Sequence, residues 1–136
     1  MSFFDVLGIA GSGMNAQMVR MNAISSNLAN VGVAATTEEE AYKAKRPIFR
    51  TIYDNTSDVY RAGVAVDGIT KSLKENERKF APDNPMADDE GYIYMSNVNS
   101  IEEMMDMTIS SRSYQSNVEV INTAKKLVLN TLRLGQ

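Results

Sequence analysis

Apolar side chains recur in a three-then-four rhythm at both ends of the chain and alternate with polar ones in its middle. From Leu7 the positions read Leu7, Ala10, Met14, Gln17, Met21, Ile24, Leu28 and Val31, and only Gln17 is polar. Leu7, Met14, Met21 and Leu28 repeat at intervals of seven, which is the mark of a helical seam. The spacing predicts a helix over about residues 3–30, roughly 42 Å long. Gly11 and Gly13 fall inside it and weaken helix propensity by up to about 1 kcal/mol each. They mark a bend or a place where another backbone comes close. Asn27, Asn30 and Gly32 give the helix a polar end that tolerates left-handed backbone.

The C-terminal segment opens on Ser100 followed by Glu103, which has capping-box spacing directly before an apolar run. Its seam reads Met104, Met107, Ser111, Tyr114, Val118, Ile121, Lys125, Val128 and Leu132, with Val120, Leu127 and Leu134 widening the apolar face near the end. A helix over about residues 101–134 is predicted, roughly 50 Å long. Two helices of similar length with narrow seams pair as an antiparallel, coiled-coil-like hairpin.

Between the helices the pattern is extended. Ile48-Phe49-Arg50-Thr51-Ile52-Tyr53 is rich in β-branched and aromatic residues, and Pro47 confines it to an edge or a strand start. Gly63-Val64-Ala65-Val66-Asp67-Gly68-Ile69 alternates between bracketing glycines, and Tyr92-Ile93-Tyr94-Met95 is a third short candidate. Turns and loops are expected at Asp54-Asn55-Thr56-Ser57-Asp58, over Lys74 to Lys79, and at Ala81-Pro82-Asp83-Asn84-Pro85. The expected fold is mainly α, with an N-terminal helix segment (1–35), an extended, β-containing middle (36–99) and a C-terminal helix segment (100–136). The two ends together form one structural domain.

Charge sharpens this division. The chain has 136 residues with 17 acidic and 14 basic side chains, a net charge of −3. Residues 1–35 carry only Asp5 and Arg20, whereas residues 36–90 hold 21 of the 31 charges. Isolated soluble helices usually spread charge over their exposed faces. Weakly charged ends therefore suggest surfaces that face other protein. A core within one chain explains the same stripes, but a two-helix hairpin buries only one face of each helix and is marginal alone. Nine methionines suit adaptable contacts of either kind.

Composition also bounds the chemistry. With no cysteine and no histidine, disulfides, thiolate catalysis and the commonest metal ligands are removed. Glu38-Glu39-Glu40 and the group Asp83, Asp88, Asp89 and Glu90 lack the alternating acid, glycine and distal glutamate of a calcium loop, and read as solvated loops. Gly8-Ile9-Ala10-Gly11-Ser12-Gly13 follows no strand and ends in no Lys-Ser/Thr, so it is no phosphate cradle. No enzymatic activity, catalytic residue, cofactor or metal is expected, and the near-balanced charge gives no sign of nucleic-acid binding. No run of about 18 apolar residues exists to span a membrane. The start, Met1-Ser2-Phe3-Phe4-Asp5, lacks the basic opening of a secretory leader. Residence in the cytoplasm and export without a cleaved leader both fit.

Ser12-Gly13-Met14-Asn15-Ala16-Gln17, with Met21 and then Ser25-Ser26-Asn27-Leu28-Ala29-Asn30-Val31, resembles the N-terminal signature of the bacterial flagellar rod and hook proteins. The stretch from Pro85 through Gly91-Tyr92-Ile93-Tyr94-Met95-Ser96-Asn97-Val98-Asn99-Ser100 to Met104, with Arg112, Tyr114, Asn117 and the ending Thr131-Leu132-Arg133-Leu134-Gly135, is similar to their rod members. Two departures lie in the loop: Val33 stands where the signature often has threonine, and Thr37 to Tyr42 replaces a Pro/Gly-rich stretch.

The resemblance implies a structural subunit of the proximal rod, polymerising through its terminal helices into the shaft that carries torque from rotor ring to hook. Implied partners are further copies of the chain, other rod proteins (the FlgB, FlgF, FlgG and FliE types) and the flagellar type III export apparatus. The implied location is the basal-body rod, crossing the periplasm after export from the cytoplasm without a cleaved signal. Assembly residues expected on the first helix are Leu7, Met14, Met21, Asn27, Leu28 and Asn30. On the second they are Met104, Met107, Tyr114, Val118, Ile121, Val128 and Leu132. Phe3 and Leu7 resemble the short hydrophobic export signal of early rod substrates. Another rod or hook subunit, and a cytoplasmic coiled-coil adaptor or chaperone, are the alternative readings.

Overall fold

The computed structural model describes residues 3–54 and 61–134. Two long helices stand at the ends, α1 (Phe3–Ala29) and α2 (Ser100–Leu134). Among the described residues, five strands lie between them: β1 (Ala34–Ala35), β2 (Lys45–Asp54), β3 (Arg61–Lys71), β4 (Arg78–Phe80) and β5 (Tyr92–Met95). The helical ends and the small β middle match the expectation from periodicity. The turn expected from Asp54 to Asp58 falls outside the described residues beyond Asp54.

The chain divides into two compact units, and each helix contributes to both. Unit 1 comprises Met1–Met21, Pro47–Gly68 and Thr108–Gln136. Here β2 and β3 form a two-stranded sheet, with Arg50 Nε 3.2 Å from Asp67 Oδ1 across it. Every strand of such a ribbon is an edge, which is why Pro47 is tolerated inside β2. The Val64 amide donates to Ser12 Oγ at 3.2 Å, and Ser12 Oγ donates in turn to the Ile9 carbonyl at 2.8 Å. Ala10, Ala16 and Ser110 are buried. A Cβ on Gly13 would lie 2.9 Å from Asn117 Nδ2. Gly13 thus marks a close approach, but of a side chain from α2, and α1 continues through it unbroken. Gly11 has open space above it.

Unit 2 comprises Asn22–Arg46 and Ile69–Met107. Its sheet has the order β1-β5-β4, antiparallel throughout, with Ala34 opposite Met95 and Arg78 opposite Tyr94. β5 is central and its Ile93 is buried, as are Ile24, Ala35, Ala41 and Ala44 of the same unit. The stretch from Lys74 to Lys79 was expected to be a loop throughout, but Arg78 and Lys79 open β4. Three exposed residues, Arg-Lys-Phe, carry no alternation, and their pairing is decided by Tyr92 and Tyr94 across the ladder.

The start of α2 also differs from expectation. Asn99 is the cap: its Oδ1 accepts from the amides of Ile101 at 3.0 Å and Glu102 at 3.5 Å. Ser100 is already the first helical residue, so the Ser100–Glu103 capping box does not form. Glu103 gives its backbone amide to the Asn99 carbonyl at 3.1 Å and sends its carboxylate inward instead.

Candidate assembly surface

The polar centre of unit 2 is Asn27, which is 1% exposed. All four of its hydrogen-bonding positions are filled. Nδ2 donates to the Lys45 carbonyl at 2.9 Å and to Glu103 Oε2 at 3.0 Å. Oδ1 accepts from the Lys45 amide at 2.7 Å and from Tyr42 Oη at 3.0 Å. An amide has two donor hydrogens and two acceptor lone pairs, so this side chain is saturated within the chain. Tyr42 Oη also lies 3.1 Å from Ser26 Oγ, which accepts from Lys45 Nζ at 3.3 Å. Arg46 partly neutralises the buried Glu103 carboxylate from 3.8 Å and reaches Asp106 at 3.9 Å.

Three more asparagines complete the frame. Asn76 Nδ2 donates to the carbonyls of Tyr42 and Met95 at 3.0 and 2.8 Å. Asn97 accepts from the Ala44 amide at 2.7 Å and donates to the Lys74 carbonyl at 2.6 Å. Asn99 caps α2. Sequence reasoning missed all three as structural residues. Asn99 had a readable signal, an N-cap residue type directly before the helical run. Asn76 and Asn97 act on backbone far away in sequence and leave no local trace.

The expected assembly residues separate by exposure. Asn27 is buried in the polar centre, and Asn30 is half-buried with its Nδ2 on the Ser26 carbonyl at 2.7 Å. Leu7, Met14, Met21 and Leu28 on α1 are half-buried, as are Met107, Tyr114, Val118, Ile121 and Val128 on α2. Met104 and Leu132 are exposed. Phe3 and Leu7, the expected export-signal pair, are both half-buried.

The covered face of α2 follows most of the expected seam and departs from it at Met104, Lys125 and Leu132. Glu103, Met107, Ser110, Tyr114, Asn117, Ile121, Ala124 and Val128 are buried or half-buried. Met107, Tyr114, Ile121 and Val128 were expected. Ser111 and Val118 of the expected seam are half-buried too, whereas Met104 and Lys125 are exposed and Glu103 and Ala124, one residue earlier, are covered. Glu103 is covered where it meets Asn27, and Asn117 where it meets Gly13. The apolar side chains left outside are then substantial: Ile101 (70% exposed), Met104, Met105 (61%), Leu127 (62%), Leu132 and Leu134 (90%). In unit 1 a groove of about 610 Å³ runs beside α2, lined by Phe3, Val6, Val120, Leu127 and Val128, with Glu119 and small residues between.

The second acidic cluster is organised by backbone and by an arginine. Asp88 Oδ1 accepts from the amides of Tyr92 at 2.8 Å and Glu90 at 3.0 Å. Those bonds, the Tyr92 amide foremost, hold the Asp88 carboxyl below the usual aspartate range against the opposing effect of burial, with Arg78 assisting. Arg78 pairs with Glu90 at 2.6 Å and lies 4.0 Å from the centre of the Tyr92 ring. Gly91, at φ 79°, turns the chain back into β5. Among the described residues no group of acidic side chains is arranged to hold a metal ion. No helix there is long and apolar enough to cross a membrane.

Comparison with known proteins bears on both ends. Residues 7–34 match the family model described as flagella basal body rod protein, and residues 89–134 match that of the flagellar basal body rod FlgEFG protein C-terminal region. The chain is 40% identical over 136 residues to the flagellar basal-body rod protein FlgC of Yersinia enterocolitica, covering all of both chains. It is 38% identical over 136 residues to that of Escherichia coli O157:H7, again over the whole of both. To that of Borreliella burgdorferi it is 32% identical over 151 aligned positions, covering all of this chain and 99% of the relative.

Proposed function

The chain belongs to the FlgC family of flagellar basal-body rod proteins, which are structural subunits and not enzymes, and from that premise we propose how its two ends build the rod. α1 and α2 pair as an antiparallel hairpin, and hairpins of successive subunits pack side by side around the rod axis. Residues 1–35 and 100–136 make the axial layer, and residues 36–99 face outward or touch adjacent subunits. The assembled stretch is the proximal rod, which passes torque from the rotor ring towards the hook.

The observation that carries this reading is the apolar surface of α2 left uncovered in the single chain, above all Leu127, Leu132 and Leu134. Exposed apolar area of this kind is stabilised when a neighbour covers it. Met104 and Leu132 contact neighbours directly, while the half-buried Leu7, Met14, Met21, Leu28, Met107, Tyr114, Val118, Ile121 and Val128 lose their remaining exposure as subunits close up. Asn27 takes part indirectly, by holding unit 2 in shape, and Asn30 closes the end of α1. Other rod proteins are the partners on either side. The subunit reaches them through the flagellar type III export apparatus, with Phe3 and Leu7 read as the export signal, and the finished rod crosses the periplasm.

The test is electron microscopy of basal bodies from cells lacking the native gene and supplied with this chain or its Leu132→Asp variant. Leu132 is exposed, so the variant should fold normally while giving rotor rings without a rod. Rods of normal length and normal swimming in the Leu132→Asp cells would overturn the proposal.

A further inference from the structure

Val6, Gly13, Arg20 and Asn27 of α1 follow one another at intervals of seven, each one residue before Leu7, Met14, Met21 and Leu28. Ala124, Asn117, Ser110 and Glu103 of α2 do the same in the reverse direction. In unit 1, Val6 and Ala124 line the same groove. Seven residues up α1 and seven down α2, Gly13 meets Asn117, so closely that a Cβ on the glycine would lie 2.9 Å from Nδ2. Unit 2, taken by itself, has Asn27 Nδ2 donating to Glu103 Oε2 at 3.0 Å, two further steps of seven along each helix.

The step in between falls on Arg20 and Ser110, both in unit 1. Ser110 is 0% exposed and its Oγ bonds to no described group. Arg20 is half-buried and has no ion pair among the described residues. Residues seven apart share nearly one face of a helix, and antiparallel helices bring such stripes together layer by layer. A serine sealed from solvent needs a larger side chain over it. At that level α1 offers arginine, whose apolar stem covers a neighbour while the guanidinium stays at the edge.

We infer that Arg20 packs across Ser110, and that this layer and the Gly13–Asn117 layer form a size key fixing the register of α1 on α2 in unit 1. In one layer α1 gives the small residue, Gly13, and α2 the larger one, Asn117. In the next the order is reversed, with Arg20 on α1 and Ser110 on α2. A shift of one heptad in one direction sets Arg20 against Asn117, whose near approach leaves no room for a Cβ. A shift in the other direction sets Gly13 against Ser110 and opens a void. Both lose packing, whereas the softer seam of Met14, Gln17 and Met21 adapts to either. A cation kept in a helix seam without an acid costs stability and specifies register, the best attested use of such residues. The key lies within one chain, so it stands apart from the rod reading and from any contact between subunits.

The test is second-site rescue in the full-length chain, read by thermal unfolding under circular dichroism. Ser110→Leu should lower the melting temperature by about 5 °C or more, the scale expected for overpacking one buried site. Adding Arg20→Ala should recover most of that loss, because the shorter side chain vacates the space. Gly13→Ala should also lower the melting temperature, and adding Asn117→Ala should restore it. The rescues should not cross over: Arg20→Ala leaves the Gly13→Ala loss in place, and Asn117→Ala leaves that of Ser110→Leu. The chain has no cysteine of its own, so a short bifunctional thiol reagent reads the register directly, whether or not Ser110→Leu folds. It should link Arg20→Cys/Ser110→Cys within one chain and fail to link Arg20→Cys/Asn117→Cys, which is one heptad out of step. An equal loss from Ser110→Leu with and without Arg20→Ala would overturn the inference. So would an absent link at the in-step pair, or equal linking at both pairs. None of these results touches the rod reading, which the basal-body microscopy of Leu132→Asp decides separately.

Discussion

Replacing Asn27 by leucine keeps the branching of the side chain and removes its amide from the polar centre of unit 2. Four hydrogen bonds are lost at once, with partners on two separate segments: Tyr42 and the Lys45 backbone on one, Glu103 on the other. A typical bond is worth about 1 kcal/mol net, and a buried group left without a partner costs about 1–3 kcal/mol. Tyr42 retains Ser26, and Glu103 retains Arg46 at 3.8 Å, so the two side chains recover part of the loss. The Lys45 amide and carbonyl have no such substitute. The expected destabilisation is about 4 kcal/mol, a large share of the 5–15 kcal/mol typical of a domain. Urea unfolding, followed by amide exchange at positions in unit 2, measures it. With a slope of about 2 kcal/mol/M the midpoint should fall by about 2 M. Tyr42→Phe, which removes one hydroxyl, should cost about 1–2 kcal/mol, and the double variant should cost less than the two singles added, because they share a bond. A loss below about 1 kcal/mol for Asn27→Leu would refute the reasoning, since it would mean the amide holds nothing that water cannot replace.

Further outcomes follow from single contacts. Asn99→Ala should destabilise by about 1 kcal/mol on thermal unfolding, the usual cost of losing an N-cap, whereas Ser100→Ala should change little. Equal effects would restore Ser100 as the cap. The Asp88 carboxyl titrates below the ordinary aspartate range, so its contribution to stability is present above the unfolded-state value and is lost as pH falls through the folded one. Amide exchange at Glu90 and Tyr92 should therefore accelerate on acidification, and Asp88→Asn should abolish that dependence. Gly11→Ala should stabilise the free chain by up to about 1 kcal/mol, because the site is helical and open. Gly91→Ala should destabilise it, since φ is 79° and Phe80 and Pro82 lie 3.1 and 3.2 Å from the new Cβ.

What could be read in the sequence was periodic, and what could not be read was polar and long-range. A heptad of Leu7, Met14, Met21 and Leu28 announces a helix whatever it packs against. Tyr92-Ile93-Tyr94-Met95 announces a strand in the same way, and both stand where the pattern put them. The covered face of α2 departs from the apolar seam at Met104 and Lys125, which are exposed while Glu103 and Ala124 are covered. Apolarity ranks Met104 above Glu103, but contact with Asn27 decides the matter. Ser100 was preferred to Asn99 as a cap because Glu103 completed a familiar motif. Glu103 is needed 76 residues away in sequence, at Asn27, and no local pattern can signal that. Asn27 itself was singled out, though as a residue for neighbours and not as the centre of its own unit.

The placement of a saturated amide among such soft packing has a mechanical consequence for a rod subunit. A seam of methionine, alanine and serine makes adaptable contacts, and adaptable contacts specify register poorly. One helix can slip along such a seam with little change in buried area. A buried polar pair resists slippage, because any displacement leaves donor and acceptor unmatched in a place water does not reach. In unit 2 that pair is Asn27 with Glu103, fixed from the side by Tyr42 and the Lys45 backbone. Under torque, a shaft built from these subunits would deform first where register is held only by apolar contact. These directional bonds sit where α1 ends and α2 begins. A subunit lacking that amide would still expose the same leucines to its neighbours, so Asn27→Leu should leave assembly intact while letting the rod twist more easily.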